Sequence, residues 1–75
     1  VKVTILNPKH VLYEGDAQSV FLPGDTSEFE IMDHHAPITS LLAAGDVIID
    51  WGNRISIKDG MVKFDNNECT ILVEE

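Results

Sequence analysis

The chain has 75 residues, 44% of them hydrophobic and 24% charged, with 13 acids against 5 bases and a net charge of −8. That length limits it to a single domain, 1–75, which buries only roughly 60–65% of the surface its unfolded form exposes, so a partner would add usefully to its stability. The charge repels the phosphates of nucleic acid and anionic lipid headgroups, and leaves a basic protein surface as the charged partner that fits.

Strands and turns alternate from the start. VKVTIL, Val1 to Leu6, reads as the first strand, because β-branched residues suit a pleated surface. NPKH (Asn7 to His10) and EGD (Glu14 to Asp16) read as turns, QSVFL (Gln18 to Leu22) as a strand, and PGDTS (Pro23 to Ser27) as the turn that closes it. The acids Asp25, Glu28, Glu30 and Asp33 then interleave with Phe29 and Ile31, the alternation of a strand with one wet face. DHHAP (Asp33 to Pro37) is a further turn, and ITSLLAA (Ile38 to Ala44), the one segment with a helical look, is too short for a helix. After the AGD turn (Ala44 to Asp46), VIID and RISIK form a hairpin around Gly52-Asn53. A two-residue turn with Gly first pairs Trp51 with Arg54, Asp50 with Ile55, Ile49 with Ser56 and Ile48 with Ile57. This register sends Ile48, Ile55 and Ile57 to the core, sets Trp51 beside Arg54 outside, and leaves Asp50 on the core face near the rim. The last hairpin turns at Asn66-Asn67 and pairs Phe64 with Cys69 and Val62 with Ile71 inside, with Lys63 and Thr70 outside. Turn signals at roughly 8–12-residue spacing predict an all-β fold, a two-sheet β-sandwich or flattened barrel of short antiparallel strands.

Candidate chemistry concentrates in SEFEIMDHHAPI, Ser27 to Ile38. Adjacent histidines on an extended chain point to opposite faces, so His34 and His35 would not share an ion without a sharp turn. Zinc patterns place ligands in closely spaced pairs, and only His10 and scattered carboxylates could supply a second pair. Asp33 and His35, two apart on a strand, could form an acid–base dyad. The serines at 19, 27, 40 and 56 lie in no nucleophile elbow, and no phosphate-cradling glycine loop exists. No catalysis, cofactor or metal is therefore expected. The alternative is a small metal-binding or hydrolytic β-domain using Asp33, His34 and His35, with His10 as a further ligand; a stand-alone ligand-binding sandwich is a third reading. Cys69, the one cysteine, cannot form an internal disulfide and reads as a small buried apolar residue, which fits a reducing compartment such as the cytoplasm. No apolar run approaches the ~20 residues of a membrane helix and no leader is read, so membrane association would pass through another protein. The acidic run reads either as a solvated strand edge or as a docking surface for a basic loop.

In order, Tyr13-Glu14-Gly15, Leu22-Pro23-Gly24, Ser27 to Met32, His35-Ala36-Pro37 and Leu42-Ala43-Ala44-Gly45, with the closing hairpin ISIKDGMVKFDNNECTILVEE, resemble the amino-terminal domain of the epsilon subunit of F-type ATP synthase. The resemblance runs the length of the chain. Departures are Ser27 and Glu30 where the family usually has glycine, Asp33 where it often has proline, and Asp59 in place of one glycine of a common pair. The family commonly continues into a pair of carboxy-terminal helices that can extend and inhibit ATP hydrolysis. None is read here, whether the chain is a short form or a shortened one. The resemblance implies a β-sandwich at the foot of the central stalk, a non-catalytic rotor part between the gamma subunit and the c-subunit ring. It would couple ion translocation to ATP synthesis alongside the other ATP synthase subunits, peripheral on the cytoplasmic face of the bacterial inner membrane. It assigns Thr26, Glu28 and Phe29 to the c ring, and His35, Ala36, Pro37 and Ile38 to gamma.

Overall fold

A computed structural model describes all residues, 1–75. Nine strands and no helix make up the chain: β1 (Lys2–Leu6), β2 (Val11–Asp16), β3 (Ser19–Leu22), β4 (Phe29–Met32), β5 (Ile38–Leu42), β6 (Gly45–Ile49), β7 (Asn53–Ile57), β8 (Asp59–Asp65) and β9 (Glu68–Glu74). They build a five-stranded sheet in the order β2-β1-β9-β8-β5 and a four-stranded sheet in the order β4-β3-β6-β7. The predicted two-sheet sandwich is the observed fold. All the sheet pairings are antiparallel except β1 with β9, the first and last strands, which run parallel.

Alternation of side chains across the pleat explains the core. On β9, Cys69, Ile71 and Val73 are buried while Glu68, Thr70 and Leu72 face out. Val3 and Ile5 of β1, Val62 and Phe64 of β8, Val20 and Leu22 of β3, Ile31 of β4, and Val47 and Ile49 of β6 join them in one cluster. The outer face of the five-stranded sheet also carries an apolar row. Leu41 lies opposite Met61, Met61 opposite Leu72, Leu72 beside Leu6, and Leu6 opposite Val11.

The second hairpin has the expected register, Phe64 with Cys69 and Val62 with Ile71. Asn66 and Asn67 both adopt positive φ (51° and 58°), the turn that matches the strands' twist and that Asn tolerates. The first hairpin differs. Asp50 and Trp51, not Gly52 and Asn53, occupy the positive-φ positions, and Gly52 N–H closes the turn on Ile49 O at 3.2 Å. Val47 therefore faces Ile55, Ile48 faces Arg54 and Ile49 faces Asn53. An odd shift of three exchanges the faces, so Val47 and Ile49 enter the core and Ile48 turns outward. Asp50 leaves the core face entirely, and its carboxylate accepts the amides of Gln18 (2.6 Å) and Ser19 (3.3 Å). Arg54 pairs with Asp46 at 3.4 Å instead of standing beside Trp51. Glu14-Gly15-Asp16, read as a turn, is the end of β2, and Ile38 to Leu42 is an edge strand.

Cys69 is 1% exposed, and its burial pushes the thiol up to about 12. Because the folded form holds the neutral thiol, its contribution to stability is full below about pH 9 and is lost as pH rises from there toward 12. At pH 8 the native thiol should react with an aromatic disulfide reagent at least about a thousandfold more slowly than in denaturing urea, since reaction waits on opening of the core. Comparable rates in both conditions would place Cys69 outside it.

Candidate functional sites at the two ends of the sandwich

The segments the sequence singled out lie at opposite ends of the same two strands. The loop from Pro23 to Glu28 precedes β4 and docks beside the end of β5, where Gly24 bridges Leu42 and the Asp25 amide donates to Leu41 O at 3.2 Å. Residues 33–37 follow β4 and lead into β5. Five residues of extended chain separate Glu28 from Asp33, roughly 16 Å at 3.3 Å per residue.

At the first end, buried Pro23 accepts the Ala43 amide at 2.7 Å, fixing the base of the loop. A Cβ on Gly24 would fall within 2.9 Å of the Phe29 ring and against Ser27 O, so only glycine allows the loop to fold this tightly. Phe29 is consequently half-buried beneath the loop, packed on the core, while Thr26, Ser27 and Glu28 are exposed. Glu28 has no cationic partner within the chain; the ion pairs are Val1 with Asp33 and Arg54 with Asp46. Thr26 and Glu28 thus face solvent, and Phe29 supports the loop from below. His10 belongs to this end too, in an Asn7 turn whose side-chain oxygen accepts the amides of Lys9 and His10.

At the second end the backbone turns sharply. His34 has φ 62°, its amide donates to Asn67 Oδ1 at 3.0 Å, and the His35 amide donates to Met32 O at 3.2 Å. His34 is therefore a turn position, and the expectation of an extended His-His pair is corrected. Asp33 accepts from the Val1 nitrogen, whose hydrogen bond and charge hold the carboxyl below its ordinary value. The His35 ring turns the other way. It stands edge-on to Phe64 at 5.9 Å between centroids, and Nδ1–H donates to Ala36 O at 2.7 Å. Asp33 and His35 do not form the dyad their spacing allowed, because the αL turn between them rotates them apart. His10 sits at the far end of the sandwich, and no three His, Cys, Asp or Glu side chains gather as a ligand set. His35, Ala36 and Pro37 are exposed, and Ile38 is half-buried opposite Phe64.

One cluster is absent from the sequence reading. Glu30, half-buried on the outer face of β4, accepts from the Ser19 hydroxyl and from the Trp51 indole Nε1–H, the latter at 3.0 Å. Its visible signal was a lone tryptophan in a turn; the misplaced hairpin register hid its partner.

The whole chain, residues 1–75, matches the family model described as ATP synthase, Delta/Epsilon chain, beta-sandwich domain. Curated relatives include the ATP synthase epsilon chains of Leptospira interrogans, 31% identical over 77 residues, and of Sulfurimonas denitrificans, 36% identical over 78 residues. Those matches cover 99% of this chain and 61% and 60% of the relatives, so the chain spans about three-fifths of their length. Among solved structures, a chain of the Tetrahymena thermophila mitochondrial ATP synthase central stalk and c ring superposes with a TM-score of 0.83 at 17% identity, covering 99% of this chain and 63% of that one. A chain of the Euglena gracilis mitochondrial ATP synthase OSCP/F1/c-ring assembly gives 0.88 at 14% identity, with 100% and 51% covered. At those identities the structural likeness speaks for the fold, while the full-length family match speaks for descent. This chain belongs to the family of ATP synthase delta/epsilon-chain β-sandwich domains.

Proposed function

We propose that residues 1–75 act as the sandwich domain of an epsilon-type rotor subunit, a non-catalytic part that links the gamma subunit to the c ring of an F-type ATP synthase. In that role it couples ion translocation to ATP synthesis by remaining attached at both ends and rigid between them. The observation that carries the reading is the placement of the two expected contact segments at opposite ends of β4 and β5 in a chain that matches the family throughout. Two sheets packed on one continuous core make a stiff spacer, since close-packed interiors deform little. Unpaired Glu28 at one tip suits a basic loop on the ring, where rim charges set encounter and register. The subunit would sit peripherally on the cytoplasmic face of the bacterial inner membrane, a placement supported by its bacterial relatives.

Co-purification of the chain with isolated gamma and with ring-containing complexes tests the reading directly. Glu28→Lys should weaken attachment to the ring about tenfold or more, as expected when like charges meet at a contact, while thermal unfolding stays within about 1 kcal/mol of the parent. Unchanged sedimentation of the variant with ring-containing complexes would remove Glu28 from the interface. His35→Ala should loosen binding to gamma and leave ring attachment alone.

A further inference from the structure

A sheet edge exposes a row of unpaired amides and carbonyls, and proteins usually blunt it with a cover, a bulge or charges. Of the four edge strands, β2, β5, β4 and β7, three are blunted. The loop from Pro23 to Asp25 covers β5, where Ala43 N–H donates to Pro23 O and Asp25 N–H to Leu41 O. The β2 strand carries Glu14 and Asp16 and shifts register against β1, and β4 is four residues long and carries Glu30. Only β7 pairs with β6 on one side and has neither cover, bulge nor acid on the other.

The alternation of hydrogen bonds along a strand identifies the free groups on that edge. The Asp50 amide donates to Ser19 O at 2.9 Å, so Ile48 and Asp50 turn their main-chain groups toward β3, and Val47 and Ile49 turn theirs toward β7. Val47 and Ile49 lie opposite Ile55 and Asn53, which are therefore bonded within the sheet, as is Ile57 opposite Gly45. The main-chain groups of Arg54 and Ser56 point away from β6, and no donor or acceptor of the chain meets them. The next amide of that phase, on Lys58, is taken by Glu74 O at 2.6 Å, which ends the open row after two residues.

We propose that this edge is a self-pairing surface, to which a second copy of the chain adds its own β7 antiparallel about a two-fold axis through Ile55. In that register Arg54 of each copy lies opposite Ser56 of the other, and the two pairs exchange four main-chain hydrogen bonds, all that the edge offers. Ile55, half-buried on the inward side, meets Ile55 of the second copy as a close apolar pair. On the outer side Arg54 approaches Ser56 of the second copy, whose hydroxyl donates to its own Asp46 at 2.8 Å, so a base of one copy faces an acid of the other. Charge selects this edge among the four. Pairing through β2 or β4 would bring acids together on a chain of net charge −8, whereas β7 carries a base and is followed by Lys58. The contact is isologous, so it closes on itself, joining two four-stranded sheets into one without propagating as a filament. Its few contacts place it in the weak class of interfaces that bury less than about 1,200 Å².

The test uses the isolated chain. In sedimentation equilibrium its mass should rise from 8.3 kDa toward twice that value between about 10 μM and about 1 mM. The rise should be steeper in about 0.5 M NaCl, because salt screens the repulsion between two acidic chains. By NMR-detected hydrogen exchange, the Arg54 and Ser56 amides should exchange freely in dilute solution and about tenfold more slowly at the highest concentration, while those of Asn53 and Ile55 stay protected throughout. Ser56→Pro removes an amide that β6 does not use, so it should fold like the parent and associate at least about tenfold more weakly. A mass of 8.3 kDa at every concentration, or association that survives Ser56→Pro, would overturn the self-pairing. So would protection of Arg54 and Ser56 that appears only when isolated gamma is added, which would give the edge to a different chain.

Discussion

Replacing Phe64 by alanine is expected to destabilise the chain by about 3–5 kcal/mol, the range for emptying a buried aromatic position. Phe64 is 1% exposed, the largest of the fully buried side chains, and lies opposite Cys69 on one neighbouring strand and Ile38 on the other. A domain of this length has a total stability of roughly 4–11 kcal/mol at 0.05–0.15 kcal/mol per residue, so the variant would lose a large fraction of it. In thermal unfolding this corresponds to a fall of roughly 12–40 °C, at about 4–8 °C per kcal/mol for a domain of this size. His35 would lose the aromatic ring it packs against. Phe64→Leu, which retains most of the volume, should unfold close to the parent and thereby separate the lost histidine contact from the cavity. Should Phe64→Ala melt within a few degrees of the parent, the core described above is wrong at its centre.

The second large effect is at Gly60, where alanine is expected to cost about 2–4 kcal/mol without any cavity being made. Gly60 lies between Leu42 and Val73 near the start of β8, a strand paired on both sides. An added Cβ would fall inside van der Waals distance of Leu72 O and 3.2 Å from both Cα and Cγ1 of Val73. The nearest atom is backbone, so relief requires β8 and β9 to part and lengthens hydrogen bonds of the hairpin. Neighbouring Asp59, which is exposed, should accept glycine or alanine with a change of no more than about 0.5 kcal/mol. Urea unfolding of the two alanine variants side by side checks the contrast. Equal midpoints would show that the sheet has room for a side chain at Gly60.

Both effects act on a domain that partner binding would support. A partner that bound only the folded form would raise apparent stability by mass action and partly rescue either variant.

The reading of the last hairpin succeeded because everything that sets its register is local. Asn66-Asn67 is a two-residue turn whose side chains tolerate positive φ, and the flanking residues alternate without ambiguity. The hairpin before it failed for the opposite reason. Val47, Ile48 and Ile49 are all apolar, so the pattern names no face, and the glycine at 52 drew the turn one residue pair too late. What selects the observed turn is the Asp50 carboxylate accepting the amides of Gln18 and Ser19 at the entry to β3, over 30 residues away in sequence. The same distance effect governs SEFEIMDHHAPI. Alternation and turn residues identified its acids as a strand with one wet face, because these are properties of neighbours, while only the family resemblance gave its two halves their expected contacts. That Glu30 is tied to Ser19 and Trp51 instead of being solvated, that His34 serves a turn held by Asn67, and that the two halves point to opposite ends of the molecule depend on strand pairings between remote segments. Sequence alone determined the family, the all-β architecture and the inward residues of the regular strands, since these follow from local chemistry repeated along the chain. Only the tertiary structure decided which side chains meet, because that is fixed by the register and packing of the two sheets and by no residue's own preference.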